Sequence, residues 1–183
     1  MKLYLIRHGE TKWNKEKRLQ GRADIPLDET GIEQAKRLRD EISGMDFDIC
    51  ISSPLKRALE TARIAMDGKK CDIITDERII ERDFGEYDGM IVNDWAEFAK
   101  GFDTWDRRMN WSERGFEPAK TVLARSKEFL DDIRKKYPSD YRIAIVAHGN
   151  LLKALHYNIV GYTDETNFHE QHFKNAEMKE YEV

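Results

Sequence analysis

A chain of 183 residues with 40% hydrophobic side chains can bury a sizeable core, and is most simply one globular domain with room for an excursion. Charged residues make up 36%, above the usual share of about 25%, yet the net charge of −4 supplies no general attraction to nucleic acid or anionic membrane. Only two cysteines occur, Cys50 and Cys71, without close spacing. There is also no signal-peptide pattern and no membrane-length apolar stretch, so a soluble cytoplasmic protein with free thiols is the expectation.

The first element is an apolar run, Leu3-Tyr4-Leu5-Ile6, that stops on Arg7-His8-Gly9 as a buried strand would. Residues 12 to 28, charged and holding Gly21 and Pro26, read as a long loop. A helix is predicted from about Gly31 to Ser43, with Ile32, Ala35, Leu38 and Ile42 at helical spacing, Thr30 as its cap and Gly44 as its stop. Asp48 to Ser52 reads as a strand, after which Ser53-Pro54 opens a helix to about Met66, with the serine as N-cap and the proline in the first turn. Cys71 to Thr75 is a third strand. The stretch from Glu113 to Tyr137 contains a long amphipathic helix with Ala119, Val122, Ser126, Phe129 and Ile133 on one face. Tyr141 to Ala147 is a strand leading into His148-Gly149-Asn150. The helix from Asn150 to Val160 is stopped by Gly161, and the tail from Asn175 to Val183 suits an edge strand.

Strands alternating with helices predict right-handed crossovers and an α/β three-layer sandwich, a mostly parallel sheet with helices on both faces. Ligands then collect at the carboxyl ends of the strands. Four such ends carry polar groups: Arg7 with His8, the turn from Ser52 to Arg57, the loop holding Glu81, and His148. A permanently charged guanidinium beside an imidazole suits an anionic substrate. Neighbouring side chains on a regular strand point to opposite faces, so Arg7 and His8 share a pocket only if the chain leaves the strand there, which Gly9 permits.

Five segments resemble, in order, the histidine phosphatase superfamily, which includes the cofactor-dependent phosphoglycerate mutases and many small phosphomonoesterases. They are Arg7-His8-Gly9-Glu10-Thr11 with Asn14 following; Gln20-Gly21-Arg22-Ala23-Asp24-Ile25-Pro26-Leu27; Ser52 to Ala62; Glu81-Arg82-Asp83-Phe84-Gly85-Glu86; and Ala147-His148-Gly149. The resemblance implies a phosphoglycerate mutase-like fold over residues 1–183, with a cap excursion at about 88–116. It implies that His8 is the nucleophile and that Arg7, Arg57 and His148 surround the phosphoryl oxygens. Glu81 is implied as general acid and base, with Asn14, Gln20, Gly21 and the amides near Gly149 at the substrate. No metal or other cofactor is implied, and the enzyme expected is a phosphomonoesterase of the histidine acid phosphatase type.

Competing readings are specific. Glu77, Asp83 and Glu86 stand near Glu81 as alternative acids. Two histidines and a carboxylate could hold a metal, but two arginines in the same pocket would repel one. In His169-Glu170-Gln171-His172 the histidines are three apart, unlike the metalloprotease spacing. His156, between Leu155 and Tyr157, reads as structural. The excursion holds Trp95, Phe98, Phe102, Trp105 and Trp111 with Arg107, Arg108 and Arg114, which line a pocket or pack a cap. Many relatives carry Gly-Glu-Ser before the next long helix, whereas this chain has Gly115-Phe116-Glu117-Pro118.

The short chain, and Glu81-Arg82-Asp83-Phe84-Gly85 in place of the mutases' usual Glu-Arg-His-Tyr-Gly, favour phosphatase over mutase. A noncatalytic phosphate-binding module is the remaining alternative. The expected partner is a small phosphomonoester, not nucleic acid or membrane, and the protein is expected to be a monomer or homodimer.

Overall fold

Alternation along the central strands builds the layers of a computed structural model that describes residues 1–93, 103–107, 112 and 115–183. In strand β1 (Lys2–Arg7), Leu3 and Leu5 face one core while Tyr4 and Ile6 face the other. Strand β4 (Arg142–Ala147) repeats this, with Ile143 and Ile145 against Ala144 and Val146. Strands β2 (Ile49–Ser52), β3 (Asp72–Thr75) and β5 (Met178–Glu182) complete a sheet of order β3-β2-β4-β1-β5. All pairings are parallel except β5, which runs antiparallel along β1; it lies at the edge, as the tail sequence predicted.

Helices α2 (Glu29–Glu41) and α3 (Lys56–Ala65) pack on one face, and α4 (Ala119–Lys136) and α5 (Gly149–Val160) on the other. The five residues placed on the apolar side of α4 are all buried. The expected three-layer α/β sandwich is therefore present. Among the described residues no helix is long and apolar enough to cross a membrane, and Cys50 and Cys71 are free thiols.

Several boundaries differ for local reasons. The stretch read as loop holds a short helix, α1 (Lys12–Lys15), because Thr11 and Asn14 cap each other's backbone amides. Helix α2 begins earlier than predicted: Asp28, not Thr30, accepts the Gly31 amide, and the helix ends at Glu41 before reaching Gly44. Helix α3 starts at Lys56 after an extended Leu55 cap, which frees Ser53 for another partner. Gly161 does end α5, at a φ of 88°. Trp95, Phe98, Phe102, Arg108, Trp111 and Arg114 lie outside the described residues. Trp105 is buried against Phe168, and Arg107 pairs with Asp164.

The loop that follows β1 is locked by close approach. Gly9 is not in the left-handed region, so conformational freedom is not what it contributes; a Cβ there would sit 2.5 Å from the Gly31 carbonyl oxygen. Reciprocally, a Cβ on Gly31 would lie 2.0 Å from the Glu10 carbonyl oxygen. Glu10 is further held by its amide to Gln34 Oε1 at 2.8 Å and its carbonyl to Asp28 N at 3.0 Å. We expect Gly31→Ala to cost about 1–3 kcal/mol through overpacking, with about 2–4 °C of Tm lost per kcal/mol. Thermal unfolding followed by circular dichroism tests this, and an unchanged Tm would show that the junction relaxes.

Candidate active site

Parallel pairing sets Arg7 opposite Ala147, so the next residues, His8 and His148, emerge side by side with ring centroids 5.2 Å apart. The strand ends at Arg7, and His8 hangs on β4 through its amide to the Ala147 carbonyl at 3.0 Å. Both Arg7 and His8 line a cavity of about 230 Å³ at this sheet edge, together with Asn14, Gln20, Glu81 and Gly149. Six residues singled out from the sequence thus share one wall system.

His8 is buried, and its Nδ1 lies 2.7 Å from the Gly9 carbonyl oxygen. A carbonyl only accepts, so Nδ1 carries the proton and Nε2 keeps its lone pair. Burial, then the charges of Arg57 and Arg7, hold the imidazole well below the usual histidine range, so the ring is neutral at neutral pH. His148 is depressed by the same causes in the same order, with His8 adding to them. Its Nδ1 accepts from Arg57 Nε at 3.2 Å, which leaves Nε2–H to donate to Ser53 Oγ at 2.7 Å.

Arg57 is fully buried, contrary to the surface position usual for a helical arginine, and burial draws its guanidinium down to about 10. It donates to Ala23 O and Gly21 O, each at 2.7 Å. Arg57, His148 and Gly21 do not line the cavity, and Arg57 and His148 have their polar groups engaged by the protein. Gly21 also approaches the neighbouring chain closely, since a Cβ there would lie 2.7 Å from the Arg82 carbonyl oxygen.

Two donors on the cavity wall are unspent. Among the described residues, Arg7 Nε and Gln20 Nε2 are buried side-chain nitrogens without a hydrogen-bond partner. Gln20 is pinned through Oε1, which accepts from Thr11 Oγ1 at 2.8 Å, and Arg7 through Nη1 to the Phe173 carbonyl at 2.6 Å. Asn14 uses Oδ1 for Thr11 N and Asn175 Nδ2. Leaving such donors empty costs about 1–3 kcal/mol each, which an anionic ligand would offset.

Glu81 is the one acid of its segment that reaches this cavity; Glu77, Asp83 and Glu86 do not line it. Its Oε1 accepts from Arg82 N at 2.8 Å and Leu151 N at 3.1 Å, while Oε2 accepts from Asn150 N at 3.2 Å. The carboxylate thereby occupies the amide end of α5, where a negative charge is favoured. Arg125 of α4 fixes the segment behind it, donating to the carbonyls of Arg78, Ile80 and Glu81 and pairing with Glu117 at 2.7 Å.

The wall also includes Arg18, Leu19, Phe84, Asn150, Lys153, Gln171, His172 and Phe173. Of these, Lys153 had a sequence signal that went unread, because it lies four residues after Gly149 on one helix face. His156 bonds to Tyr181 and His169 to Asp103, both away from the cavity, and among the described residues no three His, Cys, Asp or Glu side chains form a metal-ligand set.

The family model for the histidine phosphatase superfamily (branch 1) matches residues 3–183, and the chain belongs to that superfamily. It is similar to phosphoserine phosphatase 1 of Hydrogenobacter thermophilus, with 36% identity over 88% of this chain and 77% of that protein. A protein of Enterobacter sp. named "Probable phosphoglycerate mutase GpmB" is 35% identical over 88% of this chain and 75% of its own length. Among solved structures, mycobacterial glucosyl-3-phosphoglycerate phosphatase in complex with VO3 superposes with a TM-score of 0.86 at 26% identity, covering 98% of this chain and 91% of that one.

The depressed imidazoles have a stability consequence. Below about 6.5, histidines of the unfolded chain take up protons that buried His8 and His148 refuse. Stability is therefore full above that pH and is lost as pH falls. We expect Tm to decline between about pH 6.5 and 5.5 and the decline to be shallower in His148→Gln; equal slopes for the two proteins would show that His148 does not contribute.

Proposed function

We propose that the chain is a metal-independent phosphomonoesterase that hydrolyses a small phosphorylated metabolite through a phosphohistidine. What supports this above all is a neutral imidazole whose Nε2 keeps its lone pair, with two buried donors in the same cavity, Arg7 Nε and Gln20 Nε2, that no group among the described residues satisfies. In the first step Nε2 of His8 attacks phosphorus, the P–N bond forms as the ester P–O bond breaks, and Glu81 Oε2 delivers a proton to the departing alkoxide. In the second, the same carboxylate takes a proton from water, which attacks phosphorus and returns His8 to its neutral state.

Charge gathers on the equatorial oxygens in both steps. Arg7, Gln20, Asn14 and the Gly149 amide meet them without first breaking bonds within the protein. Arg57 and His148 join by exchanging Gly21, Ala23 and Ser53 for phosphate, so the cage tightens as the ligand enters. Fixed guanidinium charge then does what a divalent cation does elsewhere. In this reading residues 1–183 form one phosphatase domain, with the segment 88–116 as its cap, acting in the cytoplasm.

The relationship to GpmB supports a second reading, in which phosphohistidine returns its phosphoryl group to a bound phosphoglycerate. That reading predicts interconversion of 3- and 2-phosphoglycerate without net phosphate release, whereas a phosphatase liberates phosphate.

We expect phosphate release from an aryl phosphate to survive excess chelator and to fall to the buffer rate in His8→Ala; release that needs added metal would sink the mechanism. Glu81→Gln lowers kcat on an alkyl ester by about 10² to 10⁴, and by less on an aryl phosphate, whose leaving group needs no proton. Because burial keeps His8 neutral, kcat/KM on the aryl ester holds from pH 7 to 6, and a halving near 6.5 would contradict the assigned protonation state.

A further inference from the structure

Lys153 is a buried cation that the chemistry above does not use. It is 7% exposed and lines the cavity from α5, the helix whose first turn contributes Gly149 and caps Glu81. Four residues separate it from Gly149, about 6 Å along the helix axis, and helical side chains lean toward the N-terminus, so its ammonium looks back over the reacting end. Among the described residues it has no hydrogen-bond or salt-bridge partner. Its Nζ faces the Trp105 ring at 5.2 Å, which holds the group in place without cancelling its charge.

The other outer cation of the cavity is already answered. Arg18 donates to Glu16 at 2.6 Å and to the Gly89 carbonyl at 2.9 Å. Among the described residues, Lys153 therefore remains the outer cation of the cavity without a direct hydrogen-bond or ion-pair partner, with Glu81 and Asp103 acting on it through charge alone. A buried unpaired charge is costly, and a monoanion of matching position removes that cost. A second phosphate would bring two charges to one ammonium, whereas a carboxylate brings one.

We propose that Lys153 is a specificity-determining residue that receives a carboxylate on the leaving group, so that preferred substrates are phosphomonoesters of hydroxy acids. The assignment rests on the phosphatase reading of the same cavity. The spacing of one helical turn suits a carboxylate two or three bonds beyond the ester oxygen. Burial draws the Lys153 ammonium down to about 8; Arg82 pushes the same way, while Glu81 and Asp103 draw it back up. Arg18 and His172 also line the cavity. The group is charged at neutral pH and loses its proton above pH 8, so carboxylate preference fades there.

The test compares 3-phosphoglycerate with glycerol 3-phosphate, which differ in whether a carboxylate or a hydroxymethyl group occupies that end. Wild type is expected to favour 3-phosphoglycerate in kcat/KM, and Lys153→Met to lower kcat/KM for it about 10- to 100-fold more than for glycerol 3-phosphate. Lys153→Arg restores most of the preference. Equal losses on both esters, or a wild-type preference for glycerol 3-phosphate, would overturn the carboxylate assignment while leaving the phosphatase reading intact. If neither ester nor an aryl phosphate turns over, the phosphatase reading fails instead. Calorimetric binding on a His8→Ala background still decides the inference: Lys153→Met must weaken 3-phosphoglycerate more than glycerol 3-phosphate, and equal affinities refute it.

Discussion

The parallel pairing of β1 with β4 is the constraint on which the site depends. Arg7 lies opposite Ala147, so the two chains leave the sheet at the same height and bring His8 and His148 together. A slip of one residue would turn every side chain of β1 to the opposite face, and Leu3, Tyr4, Leu5 and Ile6, all nearly inaccessible, prevent it. The hydrophobic cores on both faces thus set the position of a polar pair at the sheet edge.

Buried arginines carry that order outward. Arg57 ties α3 to the loop at Gly21 and Ala23 and to His148. Arg82 lies between the rings of Trp105 and Phe116, at 5.1 and 4.6 Å, and donates to the carbonyls of Glu117 and Thr104. Arg125 donates to the carbonyls of Arg78, Ile80 and Glu81 along the segment that ends in Glu81. Each guanidinium is costly to bury, and each is offset by carbonyls or a carboxylate in a planar fork geometry that lysine would not reproduce. Glu81 is consequently suspended between α4, which holds its backbone, and α5, which holds its carboxylate.

This division explains why the cavity combines rigidity with unspent donors. Arg57 and His148 are engaged by protein groups, while the Gly9 carbonyl sets the tautomer of His8 and burial, with Arg57 and Arg7, keeps it neutral. Groups in front of it are each anchored at one atom and empty at another: Arg7 through Nη1 but not Nε, Gln20 through Oε1 but not Nε2. Anchoring removes the entropy cost of ordering these side chains when an anion enters.

The sequence by itself determined the layered α/β class, the strand-end placement of Arg7, His8 and His148, and the superfamily, because apolar periodicity and contiguous motifs are local properties. It also located α4, whose burial is periodic, and the tail strand at the sheet edge, whose antiparallel direction only the fold decided. Tertiary structure alone decided that Nε2 is the free nitrogen of His8, since that follows from where the Gly9 carbonyl lies. The resemblance alone singled out Glu81 from Glu77, Asp83 and Glu86, which are chemically alike in the chain; the packing of α4 and α5 is what brings its carboxylate, and not theirs, to the cavity. Gly21 and Ser53 read locally as a loop contact and a helix cap, but in the fold they hold Arg57 and His148. The burial of Lys153 on the cavity wall was likewise decided by the fold, because burial is set by residues distant in sequence, which no local pattern encodes.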